Sequence, residues 1–488
     1  MSVMLNIPLD ARNIQHDRKF SYPSVNKTTT HPVITIVGAG FAGTALALQL
    51  RRELPQAIIH LVEPRPVPGP GLAYSSQRPE HLLNVRPRSL SLYADQPEHF
   101  AEWLHRQPEA AADLPEFTSR ATYGRYLTEE LQNYLSYSVA FGIGIHWNQT
   151  TAVTTAAAAS GRTVTLVDGS ILHSQFVVLA LGNFPPPPPV GSSATYLEHP
   201  AYHADPWKLD TLSNIGADES VLLIGSGLTA VDVLLTLRQQ NHRAPVAVVA
   251  RHGRWPAAHG PAEASYPDFY AELATQTTVL ETLAVLRHHL KQAAAQGIDW
   301  RPVLDSLRPH LGRIWAAWPL AEQRRFLRHL AGRWSVARHR SPPQNAATIA
   351  EMLANGQVQL HTGRISEIKP DGDRLQVCVQ HGPAAGQWLT AQHIICCTGP
   401  LLDYARIDIP LVRSLRESGE LTPDPLGLGL QTDAHGALLA ADGRPSSTLF
   451  TLGPSRRPAY FESTAVPELR QQAAALASEL ARRVPGNR

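Results

Sequence analysis

Sulfur and long apolar runs are both scarce in this chain. Its 488 residues include the cysteines Cys378, Cys396 and Cys397, and no two of these have the C-x-x-C spacing. A disulfide framework and a dithiol redox pair are therefore unsupported, so any electrons must travel on a cofactor. The longest apolar runs, such as residues 176–181, are far shorter than the roughly 20 residues that span a bilayer. We therefore expect no membrane segment.

An excess of charge of either sign is also missing. Lys plus Arg number 43 and Asp plus Glu number 41, which leaves a formal charge of +2 and no global field to attract nucleic acid. The first 30 residues mix charged and polar side chains without an apolar segment, which argues against a signal peptide. We therefore expect a flexible extension over residues 1–30 on a cytoplasmic protein, whose length suits several domains of roughly 100 to 200 residues.

Two common catalytic patterns are absent as well. The histidines form no zinc-binding helix, because His288 and His289 are adjacent and the others lack ligand spacing, so no metal is expected. Gly225-Ser226-Gly227 is one residue short of the G-x-S-x-G turn that exposes a hydrolase nucleophile. Hydrolytic chemistry is therefore not indicated.

Glycine, by contrast, follows a clear pattern. In ITIVGAGFAGTALALQL (34–50), Gly38, Gly40 and Gly43 form G-x-G-x-x-G after a predicted strand at 33–37 and before a helix predicted to reach about residue 54. These glycines permit a tight turn, close approach of the backbone to a pyrophosphate and close packing of helix on strand. The unpaired N–H groups at the helix start favour a phosphate, with Phe41 and Ala42 among the expected contacts.

A carboxylate follows the next predicted strand, residues 57–62. Glu63 lies 25 positions after Gly38, where a carboxylate can accept hydrogen bonds from the ribose hydroxyls of an adenosine. The alternative is a solvated acid at a strand end. Because a carboxylate would repel a 2′-phosphate, this first site suits FAD or NAD and not NADP.

The same arrangement recurs in SVLLIGSGLTAVDVLLTL (220–237), where Ala230 replaces the third glycine, a change that its packing role tolerates. After the next predicted strand, 246–250, basic side chains replace the carboxylate, and a guanidinium suits a ribose 2′-phosphate. The alternative is a basic surface turn. We predict NADPH at this second site, with contacts from Gly225, Ser226, Gly227, Leu228, Thr229, Arg251, His252 and Arg254.

Short predicted strands after each glycine turn lead to a further glycine. After the first turn they are 163–167, the region of 171 and FVVLALGN, and after the second they are 358–360, 375–379, 388–389 and HIICCTGP. A later strand, 449–453, returns to the first unit. Glycine at a strand end lets the backbone pass close to a cofactor, so the predicted contacts include Gly182, Asn183, Gly399 and Gly453.

We therefore predict an α/β protein with two Rossmann-like dinucleotide-binding domains, for FAD and NADPH, each carrying a β-meander. The FAD domain takes residues 31–215 and 391–488, and the NADPH domain takes 216–390 with a helical insert at about 276–356. FPPPPPV (184–190) would be a stiff connector. Basic residues of the insert form a solvated face or neutralise a substrate carboxylate or the NADPH phosphates; they are Arg324, Arg325, Arg328, Arg333, Arg338, His339 and Arg340.

Several longer motifs together resemble the FAD/NAD(P)-binding oxidoreductases related to bacterial flavin-dependent N-hydroxylating monooxygenases. They are GAGFAG, GPGLAYSSQRPEHLLNVRPRSLSLYADQPEHFAEWL (69–104), SRATYGRYL (119–127), LIGSGLTAVDVLL, VARHGRWPAAH (249–259) and DPLGLGLQTD (424–433). The resemblance covers nearly everything after His31. One branch of that family oxidises aspartate towards nitrosuccinate.

The resemblance implies a tightly held FAD, NADPH as reductant and oxygen as co-substrate. By position it implies flavin contacts at Gly71, Leu72, Tyr74, Leu83, Asn84, Tyr123 and Gly124. Many relatives carry a small apolar residue where this chain has Arg86. Arg86 or Arg88 would bind an acidic substrate or would lie at the surface, and the sequence does not choose between these readings. Arg340 is a further candidate for substrate binding.

The implied reaction is N-hydroxylation of a small amine, with an amino acid of the aspartate type as the leading substrate. Hydride from NADPH would reach flavin N5, oxygen would add to give a C4a-hydroperoxide, and its distal oxygen would pass to a neutral amine. Desolvation would favour that free amine, and no obligatory catalytic side chain is required. Two alternatives stay open: a reductase that passes electrons to a quinone, disulfide or protein, and a flavin-bearing redox sensor or scaffold. A homo-oligomer is compatible with the sequence.

Overall fold

A computed structural model describes residues 31–108, 113–135, 142–189, 194–208, 211–261, 265–382 and 386–485. The extension predicted over residues 1–30 lies outside these described residues. From Pro32 onward, contacts group the chain into one unit. Within the described ranges, no helix has both the length and the apolar character that crossing a membrane requires.

Strands and helices alternate along much of the chain. The strands are β1 (Val33–Val37), β2 (Ile58–Val62), β3 (Gly144–Asn148), β4 (Ala152–Ala158), β5 (Gly161–Leu166), β6 (Ile171–Ser174), β7 (Phe176–Leu179), β8 (Tyr202–His203), β9 (Val221–Ile224), β10 (Val246–Ala250), β11 (Val358–Thr362), β12 (Arg364–Asp371), β13 (Arg374–Gln380), β14 (Gln387–Ala391), β15 (His393–Cys396), β16 (Ala437–Leu439) and β17 (Pro445–Thr451). The helices are α1 (Phe41–Glu53), α2 (His99–His105), α3 (Arg120–Leu135), α4 (Leu228–Gln239), α5 (Tyr270–Leu273), α6 (Val279–Ala295), α7 (Trp300–Ser306), α8 (Leu311–Ala317), α9 (Leu320–His329), α10 (Ala331–Arg338), α11 (Pro343–Ala354), α12 (Pro410–Glu417), α13 (Arg457–Tyr460) and α14 (Val466–Arg483).

The first sheet has the order β16-β17-β7-β1-β2-β3, and its strands from β17 to β3 are parallel. Because helices cover both faces of such a sheet, its strands read as continuous apolar runs, as in VITIV and FVVL. Helix α14 from the tail packs on α1. The tail strand β17 pairs with β7, so the tail returns to the first unit as the sequence predicted.

The second sheet has the order β11-β10-β9-β15-β8, and all of its neighbouring strands are parallel. Its strand β15 lies centrally, with Ile394 beside Leu222 of β9 and Tyr202 of β8. This pairing corrects the predicted domain boundaries at 215 and 390. β8 and β15 belong to the second sheet, because partners nearly 200 residues apart complete it.

The strand order reverses at β1 in the first sheet and at β9 in the second. The chain runs from β1 to β2 on one side and later adds β7 on the other, and β9 stands in the same way between β10 and β15. Ligands of open α/β sheets bind outside the carboxyl ends of the strands at such a switch point. The predicted α/β class with two Rossmann-like units is confirmed.

Two antiparallel meanders and a helical layer complete the structure. In chain order, β4-β5-β6 lies between β3 and β7 of the first sheet, and β12-β13-β14 lies between β11 and β15 of the second. Helices α6 to α11 lie within the region predicted as the insert. Helix α6 begins with a capping box, in which Thr278 accepts from the backbone of Glu281 and Glu281 accepts from that of Thr278. A separate apolar core holds this layer together around Trp315 and Phe326.

Candidate active site between two nucleotide-binding turns

The first glycine turn joins the carboxyl end of β1 to α1. Gly38 has a φ of +103°, which favours glycine, and a Cβ there would overlap the carbonyl oxygen of Ala180. Helix α1 begins after Gly40 without a side-chain cap and without an acidic residue in its first turn. The N–H groups at Phe41 and Ala42 are thus left for a ligand, and Gly43 packs against the carbonyl of Gly38.

Glu63, at the carboxyl end of β2, is placed beside this turn. Its side chain is 4% exposed, and its Oε2 accepts from the Ala39 N–H at 3.1 Å. The other oxygen accepts from the Arg65 N–H at 3.1 Å. An ionised carboxylate has about four lone-pair positions, so acceptor capacity is left for ribose hydroxyls. This placement fits FAD.

The loop that the resemblance assigned to flavin binding crosses the start of α1. The Gly69 N–H donates to the Ala39 carbonyl at 2.7 Å, and a Cβ on Gly40 would lie 3.3 Å from the Cα of Gly71. Tyr74 then meets Tyr123 edge to face, with ring centroids 4.9 Å apart. The structure therefore places Gly71 and Tyr74 beside the turn, and their contact with the flavin stays a prediction.

Tyr123 supplies an independent test of whether a cofactor fits. Its hydroxyl is buried and has no hydrogen-bond partner among the described residues. Burial raises the pKa of Tyr123 well above its usual value, so the hydroxyl stays protonated and can donate. A bound flavin would give this donor an acceptor. Gly124 instead serves packing, because a Cβ there would overlap the carbonyl oxygen of Tyr74.

The strand-end glycines surround the same region. Cβ atoms at Gly182 and Gly399 would meet no atom within 4 Å, which leaves space for a ligand beside each. At Gly453 a Cβ would lie 3.5 Å from the Cβ of Ala42. Gly453 therefore lies beside the start of α1, while Asn183 lines a cavity between the two units.

The second glycine turn opens onto a cavity of about 800 Å³, here called the outer cavity. Helix α4 begins after Gly227, again without a side-chain cap or an acidic first turn. Ser226 Oγ donates to the Arg254 carbonyl at 2.6 Å, which ties the turn to the segment after β10. All the residues predicted for NADPH line this cavity: Gly225, Ser226, Gly227, Leu228, Thr229, Arg251, His252 and Arg254.

Some residues of the outer cavity were not predicted as cofactor contacts. Ser335 and Arg364 line it together with His339 of the insert and Pro187 to Pro189 of the connector. Approach of basic insert residues to the NADPH phosphates is one of the alternatives that the sequence leaves open, but nothing in the local sequence distinguishes Ser335 or Arg364. Their approach depends on how α10 and the start of β12 pack beside β10.

A second cavity of about 550 Å³, here called the inter-unit cavity, adjoins the outer one. Leu228, Thr229, Gly399 and Pro400 line both. The inter-unit cavity also has walls from the first unit, including Leu72 and Asn183. A dinucleotide gripped at the start of α4 can therefore extend from the outer cavity towards the loop assigned to the flavin.

The three arginines predicted to bind substrate lie in different settings. Arg86 Nη2 donates to Glu116 Oε1 at 2.7 Å and to the Gly260 carbonyl at 2.6 Å. The Arg340 side chain is 5% exposed and pairs with Asp305 at 2.7 Å. Arg88 is 72% exposed, with its nearest carboxylate at 3.9 Å. A role of any of them with substrate stays a prediction.

Arg86 and Arg340 nevertheless act on a common neighbour, His259. Its Nε2 donates to the Asn84 carbonyl at 3.0 Å, and its ring centroid lies 5.1 Å from that of Phe117. Burial lowers the pKa of His259 to about 4, with Arg86 and Arg340 acting in the same direction. His259 is therefore neutral near pH 7 and links the segment after β10 to the loop of Leu83 and Asn84.

Glu462 joins the tail to the insert from the other side. Its Oε1 accepts from Trp334 Nε1 at 2.8 Å, and Arg338 Nε lies 3.8 Å from its Oε2. Burial by itself raises the pKa of Glu462, but His339, Arg338 and Trp334 outweigh it and lower that pKa to about 2. An ionised carboxylate therefore lies just before α14.

Comparison with known proteins agrees with this geometry. Residues 35–184 match a family described as FAD-NAD(P)-binding. Solved structures similar over 93% of this chain include the ornithine N-hydroxylase of Kutzneria sp. 744 (15% identity, 100% of that chain, TM-score 0.64), the FAD-bound cadaverine monooxygenase of Erwinia amylovora (13%, 95%, 0.64) and the L-lysine 6-monooxygenase of Pseudomonas syringae (18%, 100%, 0.61). The chain thus contains an FAD/NAD(P)-binding domain and has the two-unit fold of flavin-dependent N-hydroxylating enzymes.

A curated protein is also similar to this chain in sequence. The nitrosuccinic acid synthase of Aspergillus oryzae is 29% identical to this chain over 248 residues. The match covers 45% of this chain and 37% of the length of the fungal protein. The resemblance to N-oxygenating flavoproteins that the motifs carried is therefore confirmed.

Proposed function

We propose that this chain is an FAD- and NADPH-dependent monooxygenase that N-hydroxylates a small amino acid with an acidic side chain, such as aspartate. The observation that carries the proposal is the pair of uncapped glycine turns with opposite strand-end charges, Glu63 after β2 and Arg251 after β10. The outer cavity and the inter-unit cavity adjoin, which allows the two nucleotides to approach one another. The fungal relative adds support, since nitrosuccinic acid has two carboxyl groups.

The first unit would hold FAD permanently. The start of α1 binds the pyrophosphate, and the buried carboxylate of Glu63 accepts from the adenosine ribose. Phe41, Tyr74 and Tyr123 form an aromatic cluster beside the turn, which excludes water from the flavin side. When bound, FAD supplies two-electron transfer and oxygen activation, which no side chain can provide.

The second unit would bind NADPH reversibly. Arg251 and Arg254 are exposed at the rim of the outer cavity, where their guanidinium groups can pair with the 2′-phosphate. The start of α4 takes the pyrophosphate, and the inter-unit cavity leaves room for the nicotinamide half. Because no acidic residue occupies the first turn of α4, nothing there opposes the phosphate charge.

The substrate amine must lose its proton before it can accept oxygen. Burial disfavours an ammonium, and the neutral His259 beside Asn84 adds no positive charge to that region. Arg86 and Arg340 lie near enough to lower the pKa of His259, but they pair with Glu116 and Asp305, so a substrate carboxylate would compete with those partners for a guanidinium. We propose this region, on the insert side of the Asn84 loop, as the substrate site.

An NADPH-oxidation screen tests the proposal directly. The FAD-loaded chain is mixed with NADPH, oxygen and single amino acids, and the masses of the products are measured by mass spectrometry. We expect aspartate to yield a product heavier by one oxygen atom, in proportion to the NADPH consumed. Succinate, which has both carboxylates but no amine, is the matched control and should yield no oxygenated product.

Other outcomes would favour the rival functions. Fast turnover with a quinone, without any oxygenated product, would identify a reductase. Absence of NADPH oxidation under every condition would favour the redox sensor or scaffold. Hydrogen peroxide as the only product with every amino acid would contradict N-hydroxylation. We further propose a cytoplasmic location, and a sizing measurement would determine whether the chain is a homo-oligomer.

A further inference from the structure

A buried ion pair joins the two nucleotide-binding units. Arg120, at the start of α3, donates from Nη2 to Asp232 Oδ2 on α4 at 3.0 Å. The side chains are 18% and 4% exposed. Arg120 Nη1 also donates to the Ala73 carbonyl at 3.4 Å. One guanidinium therefore contacts both the loop assigned to the flavin and the helix of the second glycine turn.

His81 reinforces the same junction. Its Nε2 lies 3.2 Å from the Asp232 carbonyl and 2.8 Å from Thr236 Oγ1. A carbonyl can only accept, so Nε2 carries the proton and Nδ1 accepts from Ser76 Oγ at 2.8 Å. Burial and the nearby charge of Arg120 together lower the pKa of His81 to about 4. A neutral histidine thus ties the loop after Tyr74 to α4.

The electrostatic setting of Asp232 is unusual for a paired carboxylate. Burial raises its pKa to about 6, although Arg120 opposes the rise, while Glu80 adds to it. The groups that face it are Arg120 from α3, Glu80 and His81 from the loop, and Cys397 after β15. Asp232 is therefore ionised above about pH 6 and neutral below it.

The direction of this shift makes a purely stabilising role hard to sustain. A carboxylate whose pKa is raised on folding favours the folded state at low pH, and that contribution is lost as pH rises through the folded-state pKa. Near pH 7 the ionised Asp232 therefore costs stability, as burying a charge generally does. The charge lies at the junction of the two units, which points to a role in their arrangement.

The position of the pair suggests that function. Asp232 lies one helical turn after Leu228, on the same face of α4. Leu228 lines both cavities, and Arg120 lines the inter-unit cavity with Leu72. The pair therefore spans from the turn that would grip NADPH to the loop that would face the flavin.

We propose that Arg120 and Asp232 are positioning residues, which hold the first turn of α4 at a set distance from the loop of residues 71–84 and so control flavin reduction by NADPH. The step so controlled would be transfer of a hydride, one proton with two electrons, from the nicotinamide of NADPH to the flavin, which would leave NADP⁺ and reduced FAD. This inference rests on the proposed function, because it presumes both cofactors.

The test uses Asp232→Asn in the FAD-loaded full chain. Asparagine keeps the size of the side chain and can accept from Arg120, but it has no charge at any pH. Flavin reduction by saturating NADPH is followed without oxygen between about pH 5 and pH 8, the range over which a pKa near 6 changes the charge. Thermal midpoints and NADPH dissociation constants are measured over the same range.

We expect the wild-type limiting rate to fall as pH drops below 6. For Asp232→Asn the rate near pH 7.5 should be lower by roughly 10- to 100-fold, the loss expected when reacting groups are misplaced by about 1 Å. The variant should show no inflection, so that the two profiles converge at low pH. Its thermal midpoint near pH 7 should be unchanged or higher, and its NADPH dissociation constant should stay similar.

Two further variants test the pairing itself. Arg120→Gln combined with Asp232→Asn should be no slower than the slower single variant, because the pair acts as one unit. Glu420→Gln is the matched control, since it removes the partner of Arg162, a buried arginine that makes no contact between the units. This control should lower stability without changing the pH profile of flavin reduction.

Three results would overturn the inference. The first is an Asp232→Asn protein that retains FAD and has the wild-type rate and pH profile. The second is additive loss in the double variant. The third is failure of NADPH to reduce the wild-type flavin at any pH, in which case the proposed function fails and this inference fails with it. This third result differs from the first two because the wild type itself is inactive.

Discussion

The two glycine turns of this protein share one backbone plan and differ in what surrounds them. Gly38 and Gly225 have φ values of +103° and +110°, and each precedes an uncapped helix. The first turn is enclosed by a crossing loop, an aromatic cluster and the buried Glu63. The second opens onto the outer cavity, with Arg251, His252 and Arg254 exposed at its rim.

This difference separates a permanent cofactor from an exchanging one. A ligand in the first turn would be covered by the loop of residues 69–74 and by the tail at Gly453, so that its release would require the packing to open. A ligand in the second turn has a solvent-facing entry and charged contacts that water and salt can replace. Four predictions test this contrast, from the largest expected effect to the smallest.

Matched glycine substitutions in the two turns should have different consequences. In Gly38→Ala the new Cβ overlaps the Ala180 carbonyl, and a left-handed backbone costs roughly 1–2 kcal/mol for any other residue. We expect the purified variant to lack FAD and to lose stability. Gly225→Ala, which meets the Cys397 carbonyl, should keep FAD but fail to bind NADPH.

Flavin absorbance per chain and NADPH titration measure the two losses. Gly372→Ala, in the turn between β12 and β13, has a positive φ but free space around its Cβ, so it controls for backbone strain alone. Equal loss of FAD from the Gly38 and Gly225 variants would remove the distinction between an enclosed and an open site.

Replacement of Glu462 tests whether the insert of the second unit holds the tail that encloses the first site. Because its pKa is lowered to about 2, its contribution is complete above the usual carboxyl range near pH 4.5 and is lost as pH falls towards 2. Glu462→Gln should lose roughly 3 kcal/mol of unfolding free energy near neutral pH, from a shift of about two pKa units or more.

Urea unfolding as a function of pH provides the measurement for Glu462. The wild type should lose stability in acid, while the variant should show a flatter profile. Asp408→Asn removes an exposed pair with Arg413 and should change stability little. An unaltered acid profile for Glu462→Gln would show that the insert does not hold the tail through this carboxylate.

The basic rim of the second site should determine the choice of dinucleotide. Removing guanidinium groups with Arg251→Ala and Arg254→Ala should lower the preference for NADPH over NADH by roughly 10- to 100-fold, because a hydrogen bond to a charged group contributes about 1.5–3 kcal/mol. The ratio of kcat/KM for the two reductants measures the preference. Arg243→Ala removes an exposed guanidinium paired with Asp218 and should leave the ratio unchanged. If Arg251→Ala and Arg254→Ala also leave it unchanged, the basic segment is only a surface turn.

The smallest effect is expected where the two turns differ by one hydroxyl. Ser226 in the second turn donates to the Arg254 carbonyl, whereas the first turn has Ala39 at the equivalent position. Ser226→Ala should raise the NADPH dissociation constant by roughly 2- to 10-fold, since a neutral hydrogen bond contributes about 0.5–1.5 kcal/mol. FAD content should not change. Ser170→Ala, in an exposed turn of the first meander, serves as the control, and equal effects of the two changes would remove any role for the hydroxyl.

The features that sequence predicted well are those encoded by neighbouring residues. The glycine turns, the strands around them and the charge after each second strand lie within about 30 residues of one another, as a dinucleotide fingerprint does. The outer cavity is accordingly lined by every residue predicted for NADPH, from Gly225 to Arg254. The predicted insert contains helices for a similar reason, since apolar periodicity is local.

The features that sequence could not supply depend on distant partners. The place of β15 between β9 and β8 required pairing with Leu222 and Tyr202, and no local pattern specifies it. The sequence offers Arg340 as a candidate for substrate binding, and only the folded structure shows that its guanidinium pairs with Asp305. Arg120 and Asp232 are 112 residues apart in the chain, and no local pattern identifies them as partners.

The sequence by itself determined that two dinucleotide-binding turns exist and which sign of charge follows each, because turn geometry and strand-end chemistry are properties of short segments. Tertiary structure decided that one turn is enclosed and the other open, and which arginines are neutralised by carboxylates. Burial and long-range pairing set those outcomes, since both depend on which surfaces meet once the chain has folded.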